Sequence, residues 1–454
     1  MVTPQSDAAI IMMACKEEVS IHTCGVCLHV KNRGALQASH DEHRLAEAEG
    51  RGCARLPASS WFHTMSIEVP ASPKQKDALR SPLDKQSVPT TDNSLELAFA
   101  AISLCTLAAI AATADRVSVL PPSLGQWLEI GAALGLSCAA NGVLALLVRR
   151  HGSVLVLGLC GLLLALPFAV PYTYPISASA HALVAFIGAW KAADMLAGTR
   201  PQAAIVSGDL AYFAHMLSTV EFRTENAGTL LVAAAPGQWR RQLADVAARY
   251  AGLAVAASLR RAFAAIGATP LELYAEVWCI YTFLSLFTST FATALAVAGF
   301  EPQTVFNSPL LRTTSVSDFW GRRWNLLIHG LFRRSVFQPL RRRGCPAWAA
   351  GASAFAISGL FHEYAFAPGQ PDLAASTGRC LAFFLVQAPV VSLDRWARDQ
   401  PALAPPWPFR TSDLACTVLW TMVLVPLAPL FLHPLKQSGV FEELEALVPR
   451  LAFA

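Results

Sequence analysis

The sequence is poor in charged residues. Asp, Glu, Lys and Arg together make up 15% of its 454 residues, whereas hydrophobic residues make up 54%. Soluble domains carry about 25% charged residues, and the mean hydropathy of this chain is positive, at +0.42. The composition therefore argues against a set of soluble domains. It predicts an integral membrane protein, whose length is counted in spans.

Several familiar catalytic signatures are also missing. The sequence has no Gly-x-Ser-x-Gly elbow, no Gly-Lys-Ser/Thr phosphate loop and no His-Glu-x-x-His zinc motif. None of its 11 histidines begins a His-x-x-x-Asp or His-x-x-x-x-Asp box, which argues against two common classes of soluble or peripheral acyltransferase. The 11 cysteines are scattered, mostly in or beside apolar runs, so no disulfide framework is predicted.

Three segments differ in composition. Residues 1–93 are polar and mixed in charge, which predicts a disordered cytosolic extension. Residues 94–435 carry the apolar runs and are predicted to form the membrane domain, and residues 436–454 a short C-terminal tail. Cys24 and Cys27 have partial zinc-ligand spacing, but a structural zinc site needs four ligands, so no metal site is predicted.

The apolar runs predict an all-α, polytopic membrane fold with about seven to nine transmembrane helices. The runs are Leu97–Ala114, Trp127–Val148, Val154–Val170, Ile176–Ala197, Leu271–Ala298, Ala347–Ala367, Leu381–Trp396 and Leu414–Pro434. Leu243–Leu259 is weaker and is either a further span or a surface helix. A crossing there would leave Arg260 and Arg261 on the side opposite to the other basic loops.

A basic segment precedes the Ala347–Ala367 run. Eight arginines fall between Arg312 and Arg343, against one acid, Asp318. Such a cluster is typical of a cytosolic loop facing anionic headgroups, and it could also receive the phosphates of a coenzyme. Apolar residues at three- and four-residue steps from Trp320 onward predict one interfacial helix from Asp318 to Gln338.

His362 is a titratable residue in an apolar run, and Ser358 lies one helical turn before it on the same face. One interpretation is a core histidine that is hydrogen-bonded to a neighbouring helix. The other is a general base, because a neutral imidazole can take a proton from a hydroxyl while that oxygen attacks a carbonyl. Burial favours the neutral ring, which suits a base. The residues alone leave both interpretations open.

A second polar group lies in the Ile176–Ala197 run. Lys191 and Asp194 are three residues apart, so they share a helix face and are expected to pair. Together with His181 and His362, they keep open a different class of protein, a lipid or solute transporter with intramembrane polar sites.

Three motifs resemble those of one enzyme family. They are Phe306-Asn-Ser-Pro309, Thr314-Ser-Val-Ser-Asp-Phe-Trp-Gly-Arg-Arg-Trp-Asn325 and Ser358-Gly-Leu-Phe-His362-Glu363. Their order, their spacing and the arginine-rich loop between them resemble the wax synthase branch of the membrane-bound O-acyltransferases. The resemblance implies a many-helix fold in the endoplasmic reticulum membrane, with a tunnel in which acyl-CoA meets a hydrophobic acceptor. It implies that His362 is the catalytic histidine and Asn325 its polar partner. The further residues expected to contact substrate are Asp318, Trp320, Arg322, Arg323, Trp324 and Ser358.

The implied reaction moves an acyl group from acyl-CoA to a long-chain alcohol and yields a wax ester and free coenzyme A. His362 would act as the general base, while Asn325 would hold the thioester carbonyl or orient the histidine. Acyl-CoA is a co-substrate, and no metal, other cofactor or nucleic-acid partner is expected. Alternative acceptors of the same superfamily are a sterol, a terpenoid or diacylglycerol.

Overall fold

The computed structural model describes residues 94–113, 117–150, 153–198, 208–225, 230–400 and 424–453. The predicted extension of residues 1–93 and the first part of the predicted span Leu414–Pro434 lie outside these ranges. The boundaries proposed for the three segments of the chain therefore stay predictions.

The described residues are mostly helical. The helices of the first half are α1 Ser94–Thr113, α2 Leu124–Arg150, α3 Ser153–Ala169, α4 Pro175–Leu196, α5 Asp209–Leu217, α6 Gln238–Ala265 and α7 Thr269–Val297. Those of the second half are α8 Val316–Asp318, α9 Leu326–Phe332, α10 Gln338–Arg342, α11 Ala347–Phe366, α12 Leu373–Ser376, α13 Arg379–Asp399, α14 Ala428–Gln437 and α15 Val440–Ala446.

Shorter elements join these helices. Wider π-helical turns, Phe319–Arg323 and Arg333–Phe337, follow α8 and α9, and single 3₁₀ turns lie at Ala367–Gly369 and Val425–Leu427. Two small antiparallel ribbons were not predicted. Strand β1 (Val117–Leu120) pairs with β4 (Arg450–Phe453), and β2 (Thr224–Glu225) pairs with β3 (Leu230–Leu231). The first ribbon attaches the end of the chain to the α1–α2 connection.

Four helical segments among the described residues are long and apolar enough to cross a membrane. They are Leu124–Arg150, Pro175–Leu196, Thr269–Val297 and Leu373–Arg398, and Val154–Ala169 is apolar but shorter. The predicted all-α, polytopic membrane class is confirmed, and the predicted runs from Leu97 to Trp396 fall on helices. The count of about seven to nine crossings stays a prediction.

Helices α6 and α7 form a long antiparallel hairpin. Gly267, between them, has a φ of 68°, in the left-handed region, a conformation that costs glycine little. Pro270 lies in the first turn of α7, where its missing N–H has no helical partner to lose. The weak apolar signal of Leu243–Leu259 thus belongs to one arm of a hairpin whose other arm is the clear span α7.

Arg260 and Arg261, which a crossing at Leu243–Leu259 would place opposite to the other basic loops, form ion pairs at one end of this hairpin. The Arg260 guanidinium lies 2.5 Å from Glu445 and 2.9 Å from Glu442, and its Nε lies 3.4 Å from Glu276. Arg261 also pairs with Glu445, at 2.9 Å. Neighbouring carboxylates offset both positive charges, so these arginines are a weak indicator of which side of the membrane they occupy.

Lys191 and Asp194, which were expected to pair, also have longer-range partners. Lys191 is fully buried, and its Nζ donates to the carbonyl oxygens of His215 (2.8 Å) and Ser218 (2.7 Å). Asp194 accepts from Arg334 Nε at 2.9 Å. Spacing within one helix could not reveal these partners, because they come from segments 24 to 140 residues away.

Two carboxylates hold the aromatic turn before α4. Glu129 accepts from the backbone N–H groups of Thr173 (3.1 Å) and Tyr174 (2.9 Å), and Glu443 accepts from that of Ile176 at 2.8 Å. Burial, supported by the nearby negative charge of Glu129 and opposed by the Ile176 hydrogen bond, raises the pKa of Glu443 to about 7.

This shift predicts that the protein loses stability as pH rises. A carboxyl whose pKa is higher in the folded state binds its proton more tightly there, so its contribution is complete at low pH and declines as pH rises toward about 7. Allowing for partial exposure, we expect a loss of roughly 1–2 kcal/mol, measured as a falling thermal unfolding midpoint. Glu443→Gln should flatten the pH profile, and Glu225→Gln, at an exposed position, should leave it unchanged. An equal slope in both variants would contradict the assignment.

Candidate active site

The motif segment folds back on itself before it reaches Asn325. The Asn307 N–H donates to the Arg323 carbonyl at 3.0 Å, and the Leu326 N–H donates to the Val305 carbonyl at 2.8 Å. These two bonds lay the first motif along the end of the second. Residues 16 and 21 positions apart in the sequence are therefore held side by side.

The predicted continuous helix from Asp318 to Gln338 is wrong. The chain is extended at Trp324 (φ −97°, ψ 123°) and left-handed at Asn325 (φ 44°, ψ 60°), and a new helix, α9, starts at Leu326. Asparagine is one of the few residues besides glycine that adopts the left-handed conformation readily. Its Oδ1 also accepts from the Ile328 N–H at 3.4 Å and caps α9.

Asp318 is the electrostatic centre of the motif. Its side chain is 1% exposed, and its carboxylate accepts from Arg322 Nε (2.7 Å), Arg323 Nε (2.5 Å) and the Thr314 N–H (3.0 Å). Burial alone would raise its pKa, but the Thr314 hydrogen bond and the arginine charges outweigh burial and lower it. Asp318 is therefore ionised at neutral pH and fixes both arginines. This geometry supports a positioning role for Asp318.

Helix α13 anchors the other side of the motif. The Ser317 N–H donates to Asp394 Oδ2 at 3.0 Å, and Trp320 Nε1 donates to Gln387 Oε1 at 3.1 Å. Both acceptors are buried. Gln387 and Asp394 were not predicted as site residues from the sequence. A polar side chain inside the Leu381–Trp396 run was the signal that could have found them.

His362 has a defined hydrogen-bonding state on one side of its ring. Its Nδ1 lies 2.7 Å from the backbone carbonyl oxygen of Ser358. A carbonyl only accepts, so Nδ1 carries the proton, and in a neutral ring the lone pair then lies on Nε2. Within the described part of the chain, no hydrogen-bond partner lies at Nε2. Ser358 precedes His362 by one helical turn, as predicted, and it binds the ring through its backbone carbonyl.

Aromatic rings surround the imidazole. Phe384 stacks on it at 4.5 Å between ring centroids, and Phe431 and Phe366 approach edge-on at 5.2 Å and 5.8 Å. This environment is dry and favours the uncharged ring. Glu363 does not pair with His362, because its Oε1 accepts from the Leu381 N–H at 2.9 Å.

The motif and the histidine meet through Phe384. Trp320 contacts one side of Phe384 at 5.6 Å between centroids, and His362 stacks on Phe384 as well. Helices α11 and α13 approach very closely here, because a Cβ at Gly359 would lie 2.8 Å from the Leu381 Cα. Among the described residues no hydrogen bond joins Asn325 to His362.

Five of the eight arginines of the segment divide into two groups. Arg322 and Arg323 bind Asp318, and Arg334 binds Asp194 and Glu221. Arg342 and Arg343 are exposed and form no ion pair with the described residues. The second group leaves positive charge available to an anionic ligand, and the first does not.

Three of the polar residues on which the transporter interpretation was based, His181, Lys191 and Asp194, have structural partners. His181 Nδ1 lies 2.6 Å from the Tyr172 hydroxyl. Lys191 donates to two backbone carbonyls and Asp194 pairs with Arg334. This arrangement is typical of interhelical contacts that hold a bundle together. It gives no support to the transporter interpretation.

Comparison with known proteins identifies the class of this site. Residues 302–386 match the model described as "Membrane bound O-acyl transferase family". That range contains both Asn325 and His362. The resemblance inferred from the motifs is thus confirmed, and the chain is an integral membrane protein with a segment of this family.

The curated relatives that this chain is similar to are named as long-chain-alcohol or sterol acyltransferases. The chain is 34% identical over 151 residues to "Probable long-chain-alcohol O-fatty-acyltransferase 3" of Arabidopsis thaliana, covering 32% of this chain and 42% of the relative. It is 37% identical over 101 residues to "Long-chain-alcohol O-fatty-acyltransferase" of Simmondsia chinensis (20% and 28% covered). It is 35% identical over 108 residues to "Acyl-CoA–sterol O-acyltransferase 1" of Arabidopsis thaliana (21% and 30% covered). The chain spans less than half the length of each of these relatives.

The backbone and the amide of Asn325 can be tested separately. Asn325→Gly keeps the left-handed conformation but removes the amide, Asn325→Asp keeps the capping oxygen, and Asn325→Ala adds strain of about 1 kcal/mol. If the amide takes part in the reaction, the Gly and Asp variants should fold normally and lose turnover by about tenfold or more. Thermal unfolding and steady-state kinetics measure the two effects. Full activity of the Asp or Gly variant would assign Asn325 to structure alone.

Proposed function

We propose that this protein transfers an acyl group from acyl-CoA to the hydroxyl of a long-chain alcohol and forms a wax ester. The observation that carries the proposal is the His362 ring, whose Nδ1 proton is held by the Ser358 carbonyl while Nε2 has no described partner. The names of two relatives supply the acceptor class, a long-chain alcohol, and the name of a third supplies acyl-CoA as the donor. Acyl-CoA enters as a co-substrate, and the proposal includes no metal or other cofactor.

His362 would act as the general base. Nε2 accepts the proton of the alcohol while the alcohol oxygen attacks the thioester carbonyl carbon. The carbon–sulfur bond then breaks, and the proton passes from Nε2 to the departing sulfur to give free coenzyme A. The Nδ1 hydrogen bond to Ser358 supports this role because it fixes the tautomer and the ring orientation.

Asn325 would hold the thioester carbonyl. Its Oδ1 is bound to the Ile328 N–H, so the amide is oriented and its Nδ2 remains as a hydrogen-bond donor. A fixed donor aimed at the carbonyl oxygen stabilises the charge that develops there during attack. The alternative role, orienting His362, has less support because Ser358 already fills that role.

The exposed arginines would bind the phosphates of the coenzyme. Arg342 and Arg343 lie at the end of α10, just before α11, which carries His362. The side chain of arginine matches phosphate oxygens in geometry and charge. Both substrates carry long hydrocarbon chains, so a membrane enzyme can draw the acceptor from the bilayer. We place the protein in the endoplasmic reticulum because the family resemblance implies that membrane.

Removal of the base is the primary test. His362→Ala should lower kcat by about 10²- to 10⁴-fold without loss of membrane insertion, since general-base catalysis contributes that much. His329→Gln is a matched control, because His329, like His362, is a partly buried histidine, and the proposal does not use it. Ester formation by purified protein in nanodiscs gives the rate. Wild-type turnover in His362→Ala would remove His362 from the mechanism.

Neutralising the free arginines tests the donor site. The double change Arg342→Gln and Arg343→Gln should raise KM for acyl-CoA roughly threefold or more and leave kcat nearly unchanged, with a smaller effect at high salt. Arg240→Gln with Arg241→Gln, an exposed pair on α6, is the charge-matched control. Identical KM values in the two double variants would show that Arg342 and Arg343 do not bind acyl-CoA, and would leave only their expected role in a cytosolic loop that faces anionic headgroups.

A further inference from the structure

A cavity of about 290 Å³ lies between α1, α6 and α7, among residues that the proposed mechanism does not use. Its walls are mostly apolar and include Ile102, Val255, Leu259, Phe263 and Trp278. The volume is near the lower limit of ligand pockets, which is roughly 300 Å³. A slim molecule fits this space better than a fused-ring sterol.

The cavity is elongated along the hairpin. Its lining residues on α6 run from Asp245 to Phe263, which is about 27 Å at the rise of an α-helix. Phe263 and Leu271 lie at the end near the α6–α7 turn, where no acidic or basic residue lines the cavity. A single hydrocarbon chain has the shape that such a space accepts.

The opposite end is polar. Asp245 and Arg249 form an ion pair at 3.3 Å, the Ser289 hydroxyl donates to Asp245 at 2.7 Å, and Arg249 donates to the Tyr281 hydroxyl at 3.0 Å. Of the remaining hydroxyls, Thr106 and Thr282 donate to carbonyls of their own helices. The charged groups that could recognise a ligand both lie at one end of the cavity.

The charges at this end favour a neutral headgroup. A hydroxyl can donate to the Asp245 carboxylate and accept from the Arg249 guanidinium at the same time. A carboxylate would be repelled by Asp245, and an ammonium by Arg249. A paired acid and base thus select a group that is both donor and acceptor and carries no net charge.

The polar end is next to the motif of the active site. The Tyr281 ring contacts Trp324 at 6.2 Å and Phe306 at 5.5 Å between centroids. Trp324 immediately precedes Asn325. A molecule whose hydroxyl lies at Asp245 and Arg249 is therefore separated from the motif by a single aromatic layer.

We infer that the cavity between α1, α6 and α7 binds a long-chain primary alcohol, with its hydroxyl between Asp245 and Arg249 and its chain directed toward Phe263. The ligand class rests on the proposed function. The site is apart from His362 and would hold an acceptor molecule near the motif before reaction. Occupancy does not require turnover, so binding and catalysis can be measured independently.

The test uses a diazirine-bearing long-chain alcohol and the full chain in nanodiscs, with labelled peptides located by mass spectrometry. Labelling should map to the cavity lining and persist in His362→Ala. Ala248→Trp, at an exposed lining position, should reduce it about tenfold, whereas Ala247→Trp, exposed on the same helix but outside the lining, should not. Equal labelling of the two tryptophan variants, or none in active wild-type protein, would overturn the site.

Competition identifies the headgroup and the chain. Unlabelled hexadecan-1-ol should compete at least about tenfold better than hexadecanoic acid, hexadecane or a sterol, a difference of about 1.4 kcal/mol. Asp245→Asn removes the negative charge, so hexadecanoic acid should then compete for the site more nearly as well as hexadecan-1-ol does. Equal competition by the acid in the wild type would overturn the hydroxyl assignment, and equal competition by the sterol would overturn the single-chain assignment. A His362→Ala protein that is inactive but fully labelled would support both proposals.

Discussion

The buried carboxylate of Asp318 is the interaction on which the candidate site depends. It is the only acid among eight arginines of the segment between Arg312 and Arg343, and it binds two of them together with a backbone N–H. Leaving a buried charge without partners is costly, so the three groups hold one another in a single arrangement. That arrangement turns the chain at Arg323 and Trp324 and places Asn325 at the start of α9.

From this centre the order of the site extends through aromatic contacts. Trp320 is tied to Gln387 and touches Phe384, and Phe384 stacks on His362. The histidine is thus oriented by a backbone carbonyl on its own helix and by rings from α13 and α14. On the other side of the motif, Trp324 contacts Tyr281, which closes the polar end of the α1–α6–α7 cavity. One motif therefore lies between a candidate base and a candidate acceptor site.

Much of this could be predicted from the sequence. Apolar runs located the helices because that signal is local, and the resemblance of the motifs implied the roles of Asn325 and His362, which stay predictions. The break at Asn325 was not predicted because the apolar residues before and after Asn325 follow one helical spacing, which a single left-handed residue does not alter. Phe384, Phe431 and Gln387 were missed because they reach the site only through tertiary packing. The partners of Lys191 and Asp194 were missed for the same reason.

The division of the arginines also required the structure. In the sequence all eight are alike, yet Arg334 binds two carboxylates from distant segments while Arg342 and Arg343 remain exposed. Burial with a fixed partner makes an arginine part of the scaffold, and exposure leaves it available to bind an anion. The positive charge of the segment is thus partly structural and partly available to a ligand.

Acyl transfer to a long-chain alcohol can be measured by a single product analysis. The purified protein in nanodiscs is given radiolabelled acyl-CoA with hexadecan-1-ol, a sterol and diacylglycerol together, and free coenzyme A and all neutral lipids are quantified. We expect a wax ester as the main product, formed in an amount equal to that of free coenzyme A. Steryl ester or triacylglycerol as the main product, or coenzyme A release without any ester, would contradict it.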